Sequence, residues 1–598
     1  MNRWQKVLLS IGWFGIFLTY TVASWSSASE YELSIYHNTP LLFWVGVAIA
    51  LTTSIYSVKF QRGIIRGTGV VIGMLAIISV VSIPYLRGYF YYGRFDSLSH
   101  LGTVIDMLSG AIAVNEVMYP GTHMFAVALS FSTGLEPRRS LLLLVMIFVL
   151  LFFLTAPLAS YYLTDDSNVR NTSWLVALLL LPVLVVRIPR FEPTPTLLAL
   201  LFLPTCVIIV LQYFVKKYKA NRLLAIIAFV GLTLYHPQQA VVFVGSLATF
   251  IIINSIGRRL GAVANNHNQL NTITVIGIVV ISVWLSNQRG FTGAVADVII
   301  GLQSNPTGSG AAPQGESVEA VGLSLFEIFI RTLLVEAVAA IVVAILVFVF
   351  LLPKTRPSLP IRYRPFTLLT VMIAPASVFL VIFFAIGEQS QFLRYVSYML
   401  VIGTILVPIG LHWITERIFV RRVSTVIVTV ILIIAFLATV PALHSSPYVF
   451  QSNQQITEGQ VEGYKATFEY QQPDTTIAGV TTSVFRHRNA IYGKAISERG
   501  YYNLQPVTRA IKPLNNSRSY WRHSYIHYHF NNQDLPAGIE RDTYVVTTDR
   551  DYKDRVGLYG GLAYTQDDFD YLNRDPLISK PISNGNAEVY YVESTRGR

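Results

Sequence analysis

The sequence predicts an all-α polytopic membrane bundle of about 13 transmembrane helices, followed by a C-terminal extracytoplasmic α+β domain. Three observations carry that expectation. Of 598 residues, 53% are hydrophobic and only 13% charged, about half the roughly one-quarter charged content of soluble globular chains. Mean hydropathy is +0.50, and several apolar runs exceed the roughly 20 residues that cross a bilayer. From residue 442 onward the chain turns polar and rich in Tyr. A soluble enzyme and a disordered chain are both excluded.

The net charge of +12 resides entirely in the first 441 residues, because residues 442–598 hold 17 Lys+Arg against 17 Asp+Glu. The basic residues fall in short loops between apolar runs, the positive-inside pattern of a membrane protein, and nucleic acid is not a partner. The one cysteine, Cys206, sits inside an apolar run, which leaves no disulfide and no Cys-based metal site. Arg3 and Lys6 precede the first apolar stretch, and no small-residue cleavage site follows Trp25. That stretch reads as a retained helix with a cytoplasmic N-terminus in a multi-pass protein of the cell membrane.

Apolar runs at 7–25, 40–58 and 67–86 are divided by Ser26–Pro40, free of Lys and Arg, and by Lys59–Arg66 with three basic residues. The second divider therefore lies inside, and residues 87–120 form a first outer loop. From the other end, runs at 366–385, 395–414 and 424–441 bracket loops containing Arg362, Arg364, Arg417, Arg421 and Arg422, which puts 442–598 outside. The stretch from Leu223 to Ile256 is too long for one span, and His236-Pro237 divides it, since proline removes a donor from the helix ladder. Three runs, 121–136, 140–163 and 173–187, stand where parity admits two crossings, so one of them fails to cross fully. Residues 288–322, rich in Gly, Ser, Pro and Gln, read as a mobile outer loop. Strand-like runs at Asp542–Thr547 and Ala587–Val592, with turn pairs Gly560-Gly561 and Asn584-Gly585, mark the C-terminal domain.

Ionisable residues near a bilayer need a reason. The first outer loop holds Asp96, His100, Asp106, Glu116 and His123. Asp96 and His100 share a helical face at this spacing and suit general-base work on a hydroxyl; a solvated loop whose acids neutralise Arg87 and Arg94 is the plainer alternative. Glu192 heads a span, where an acid is favoured by the helix dipole. His236 at the helix break fits either a phosphate contact or an interfacial polar residue. Arg394 fits a phosphate clamp or a snorkelling side chain paired with Glu388. No histidine pair has the i, i+4 spacing of a helical metal site; a divalent cation (Mg or Mn) held by Asp96, Asp106 or Glu116 stays open. No phosphate loop and no G-x-S-x-G elbow occurs. Mid-span acids are scarce apart from Glu336, which argues against an ion-coupled transporter.

The stretch Asp96-Ser97-Leu98-Ser99-His100-Leu101-Gly102, followed by Tyr119-Pro120-Gly121-Thr122-His123 and Thr133-Gly134-Leu135, resembles the membrane-embedded glycosyltransferases of the GT-C class. The resemblance is closest to archaeal dolichyl-phosphate-mannose-dependent mannosyltransferases. It implies a transmembrane glycosyltransferase domain over 1–441 and an extracytoplasmic soluble domain over 442–598. It implies Asp96 as catalytic base, a polyprenyl- or dolichyl-phosphate sugar as donor, and inversion at the anomeric carbon. Arg394, His236 and His123 would stabilise the departing lipid phosphate. The tight acid pair of the family is absent, since Ser97 follows Asp96. The Trp-Trp-Asp hallmark of oligosaccharyltransferases is also missing, which favours transfer of one hexose, mannose by preference, to a lipid-linked or protein-linked glycan. The alternatives are a flippase of lipid-linked glycans, an oligosaccharyltransferase-like transfer of a whole glycan, and an assembly protein acting through its tail.

Overall fold

A computed structural model of the chain describes residues 1–180, 191–216, 219–259, 268–288, 324–352, 359–385, 389–480, 483–495, 503–506, 530, 535–561 and 564–595. Among the described residues, ten helices are long and apolar enough to cross a membrane. The bundle begins with α1 (Arg3–Trp25), α2 (Leu41–Phe60) and α3 (Gly63–Val81). The first is nucleated by a capping box: the Asn2 side chain accepts from the Gln5 backbone while the Gln5 side chain accepts from the Asn2 backbone. The expected outer loop then folds into two short helices, α4 (Asp96–Leu108) and α5 (Pro120–Thr133). Next come α6 (Pro137–Leu163), α7 (Ser167–Leu179), α8 (Pro195–Lys216), α9 (Lys219–Tyr235), α10 (Pro237–Arg259) and α11 (Asn268–Ser286). The bundle closes with α12 (Leu334–Leu351), α13 (Tyr363–Ala385), α14 (Gln389–Ile418) and α15 (Arg421–Thr439). The predicted mobile loop at 288–322 falls outside the described residues, apart from Gln288.

Of the three runs in the parity conflict, the first forms α5, whose 14 residues rise only about 21 Å, short of the roughly 30 Å hydrocarbon core. Met118 just before it accepts from the Trp284 indole at the end of α11, and Arg138 just after it lies over the Phe90 ring. The third forms α7 as far as Leu179, and the rest of that run lies mostly outside the described residues. Helix α6, the second, is long and apolar enough to cross. At its far end Asp165 pairs with Arg362 and Asp166 with Arg421, both in the loops expected to be cytoplasmic. The break at His236-Pro237 falls where expected, with α9 ending at Tyr235 and α10 starting at Pro237, whose missing N–H costs nothing at a helix start.

Beyond α15 the chain builds a five-stranded mixed sheet in the order β4 (Asn503–Pro506), β3 (Thr476–Gly479), β5 (Thr543–Thr548), β7 (Ala587–Val592), β6 (Ile578–Ser583). Strand β3 runs parallel to β4 and β5, while β5–β7 and β6–β7 are antiparallel. The Asn584 side chain accepts from the backbones of Asn586 and Ala587 and so closes the last hairpin. Helices Glu458–Tyr470 (α16) and Val484–Tyr492 (α17) belong to this same part of the chain, and α17 packs directly on α4.

The tail is stitched to the start of the chain. Tyr91–Tyr92 (β1) pairs antiparallel with Gln455–Ile456 (β2). Arg87 forms a buried two-pronged pair with Glu32, which also accepts from the Tyr89 hydroxyl. Tyr31 donates to Asp554 at 3.2 Å, and the fully buried Arg550 reaches the same carboxylate. Arg94 approaches Asp554 at 3.8 Å. Arg87 and Arg94 therefore take their acids from Glu32 and Asp554, not from the carboxylates of the outer loop. Charges buried this deeply persist only when paired.

Candidate active site

The site is assembled by α4, α5, the α9–α10 break, the start of α14, and α17 from the tail. Gly93 turns the chain into α4 at φ +116°, and a Cβ there would meet Ser97 Oγ at 2.6 Å; only glycine satisfies both demands. Asp96 is the first residue of α4 and its side chain is exposed. Its carboxylate lies 2.7 Å from Arg486 of α17. His100, one turn on, faces His123 of α5, with Nδ1 and Nε2 3.1 Å apart. His123 Nδ1 is 2.8 Å from the Tyr119 carbonyl. A carbonyl accepts only, so His123 carries its proton on Nδ1 and accepts at Nε2; His100 must donate from Nδ1 and keeps an unprotonated Nε2.

The two rings do not charge near neutrality. Burial, then the nearby Arg486 and Lys494, pushes His100 down to about 3. Burial followed by the neighbouring His100 does the same to His123. The Tyr119 ring stacks on His236, with centroids 5.1 Å apart and planes within 3°. His236 is buried, and its Nδ1 has no hydrogen-bond partner among the described residues. Tyr119 lies within the fields of both Arg394 and Asp96, and His236 within that of Arg394. Arg394 donates to Gln238 Oε1 at 3.1 Å, while Gln238 Nε2 donates to the Tyr395 hydroxyl at 2.8 Å.

Below Arg394 lies an apolar cavity of about 710 Å³ between α12, α13 and α14, lined among others by Glu336, Val343, Val396, Met399, Gly403 and Val407. Val396 is two residues beyond Arg394 on the same helix, and from Arg394 to Val407 that helix advances about 20 Å. Arg394 itself does not line this cavity: two residues from Val396, it lies on another face of α14, where it meets Gln238.

Of the sequence candidates, Asp96, His100, His123, His236 and Arg394 converge here. His123 has both ring nitrogens engaged by protein, so its part is to orient His100, not to touch a phosphate. Asp106 is fully buried, and its Oδ2 accepts from the Ala495 backbone at 2.8 Å, which makes it an anchor for the tail. Glu116 closes a single turn by accepting from Ala113. Glu192 is buried against the inner side of the Gly93 turn, near Tyr91. Glu388 lies outside the described residues. Among the described residues no three His, Cys, Asp or Glu side chains come together as a metal site. The acids Asp96, Asp106 and Glu116 have separate tasks: Asp96 pairs with Arg486, Asp106 holds Ala495 and Glu116 its own turn.

Sequence reasoning missed Arg486, Ser99, Asn489, Gln238 and Tyr395. Arg486 donates to Ser99 Oγ at 2.6 Å, as Asn489 does at 2.9 Å. Helix α17 can come this close because Gly102 offers no side chain; a Cβ there would meet the Asn489 carbonyl at 2.3 Å. The one readable signal was Gly102 itself, within the motif.

Neither a protein-family model nor a curated protein sequence matches the chain. Among solved structures, it is similar to ArnT from Cupriavidus metallidurans bound to undecaprenyl phosphate, at 11% identity and TM-score 0.46, covering 88% of this chain and 98% of that one. It is also similar to the apo oligosaccharyltransferase of Archaeoglobus fulgidus, at 9% identity and TM-score 0.49, covering 82% and 71% respectively. The same oligosaccharyltransferase in complex with Zn and sulfate aligns at 12% identity and TM-score 0.42, covering 88% and 73%.

Proposed function

We propose that this chain is an inverting membrane glycosyltransferase. It moves one sugar, mannose by preference, from a polyprenyl- or dolichyl-phosphate donor to a lipid-linked or protein-linked glycan on the outer face. In this reading residues 1–441 form the transferase bundle and 442–598 an extracytoplasmic domain. The observation that carries it is the sequence of environments along α14: a cation, Arg394, near the start of the helix beside Gln238 and, on another face from Val396 onward, an apolar cavity. That combination suits an amphiphile with an anionic head and a hydrocarbon tail. A cation beside a phosphate acts most strongly where water is excluded.

The acceptor hydroxyl enters beside the exposed Asp96. Asp96 takes its proton as the hydroxyl oxygen bonds to the anomeric carbon from the face opposite the phosphate. The anomeric carbon–oxygen bond breaks, its electron pair leaves on the phosphate, and Arg394 stabilises that charge. The neutral His100 Nε2 accepts a hydrogen bond from a sugar hydroxyl and holds it in register.

The test uses full-length protein in lipid, radiolabelled polyprenyl-phosphate mannose and a total-membrane glycolipid extract. Asp96→Asn is expected to slow transfer by about 10²- to 10⁴-fold, the usual worth of a general base, with donor binding retained. Equal transfer by both proteins would remove Asp96 from the base role. Labelled lipid crossing the bilayer without sugar transfer would instead identify a flippase, and transfer of a whole glycan to peptide an oligosaccharyltransferase-like enzyme.

A further inference from the structure

The ion pair between Asp96 and Arg486 joins two parts of the chain that sequence reading kept apart. Arg486 stands on α17, inside the C-terminal segment, yet one guanidinium nitrogen lies 2.7 Å from Asp96 Oδ1 and another donates to Ser99 Oγ at 2.6 Å. Ser99 is fixed in turn by Asn489 at 2.9 Å. The helices carrying these residues touch at Gly102, whose Cα faces the Asn489 carbonyl with no room for a Cβ. One turn further along α4, Asp106 holds the Ala495 backbone at 2.8 Å. The register between α4 and α17 is therefore pinned at three levels, and Arg486 falls opposite Asp96 as a consequence of it.

We infer that Arg486 is a positioning residue for the transfer reaction: it holds the Asp96 carboxylate aimed at the acceptor hydroxyl, so the membrane bundle's catalytic group is complete only with the C-terminal segment docked. The planar fork of arginine matters here, because it spans a carboxylate and a hydroxyl at once, which the single ammonium of lysine does not. The inference rests on the reading of Asp96 as the base. Arg486 touches the protein's own carboxylate and hydroxyl, and the proposed function assigns the lipid phosphate to Arg394 instead.

The experiment compares wild type, Arg486→Gln, Arg486→Lys, Asp96→Asn and the double variant Asp96→Asn/Arg486→Gln, all full-length in lipid. Mannosyl transfer from polyprenyl-phosphate mannose to membrane glycolipid extract is measured alongside equilibrium binding of undecaprenyl phosphate. Arg486→Gln is expected to lower kcat by about 100-fold, the cost of a mis-set reacting group, with donor KM and undecaprenyl phosphate affinity within twofold of wild type. Arg486→Lys should recover about a tenth of the wild-type rate. In the double variant the loss should equal that of Asp96→Asn alone, because a residue acting through Asp96 has nothing left to orient. A tenfold weaker affinity for undecaprenyl phosphate in Arg486→Gln would overturn the inference in favour of a phosphate ligand. Additive losses in the double variant, or a wild-type rate in Arg486→Gln, would also overturn it. Failure of the underlying reading looks different, since Asp96→Asn would then transfer at the wild-type rate.

Discussion

Tyr119 and His236 lie face to face, their ring planes within 3° and their centroids 5.1 Å apart. The contact locks the start of a short outer helix onto the break between two spans. Stacked rings of this kind contribute about 0.5–1.5 kcal/mol beyond the area they bury, enough to hold a wall but not to close a site alone. Arg394 acts on both rings and Asp96 on Tyr119, and these two charges give the site its polarity.

That polarity makes a binding prediction. Arg394→Gln removes the cation near the start of α14 and should weaken binding of undecaprenyl phosphate by about ten- to 100-fold, the worth of one charge-assisted hydrogen bond at roughly 1.5–3 kcal/mol. A short-chain polyprenol lacking phosphate should bind wild type and variant alike. Calorimetric titration in detergent reads both ligands.

The slot below makes a second prediction. Gly403 lines the cavity, and a Cβ there would sit at ordinary contact distance, 3.8 Å, from Val343. Gly403→Leu therefore projects its branched end into the empty space. Donor KM should rise about tenfold for a long polyprenyl chain and little for a two-isoprene analogue, because burying each methylene is worth about 0.8 kcal/mol. The ratio of KM values across chain lengths is the measurement.

A third prediction concerns acid. His100 and His123 are both pushed down to about 3, against about 6.5 for an unfolded imidazole. Between those values the unfolded chain binds more protons than the folded one, so stability is complete above pH 6.5 and falls as pH drops toward 3. At pH 5 each ring should have withdrawn about 1–2 kcal/mol. Thermal midpoints at pH 7.5 and pH 5.0 should differ less in His123→Gln than in wild type.

Much of the bundle was legible because a bilayer imposes simple demands. Apolar length predicted the spans, basic loops paired Arg362 and Arg421 with one face, and proline marked the break after His236. The strand Ala587–Val592 and its Asn584-Gly585 turn were readable from local alternation and turn chemistry. The parity conflict was visible too, and the fold shows that Pro120–Thr133 is too short a helix to span the hydrocarbon core. The site was legible in half. Asp96, His100 and Arg394 could be named as polar residues at a costly place, but what they touch could not. Ser99 and Arg486 are 387 residues apart, and the partner of Asp106 is a backbone amide. Contacts of that range are fixed by packing of whole elements and leave no spacing to read.

The stitch between Tyr31 and Asp554 has a consequence in time. The two residues are 523 positions apart, and a ribosome adding roughly 5–20 residues per second needs about half a minute to two minutes to cover that distance. Throughout that interval Tyr31, Glu32 and the buried arginines of the first outer loop are already translated while the Arg550–Asp554 pair does not yet exist. That rim of the fold must therefore wait, its polar groups in water, and its last polar contacts close after the chain's final strands have emerged.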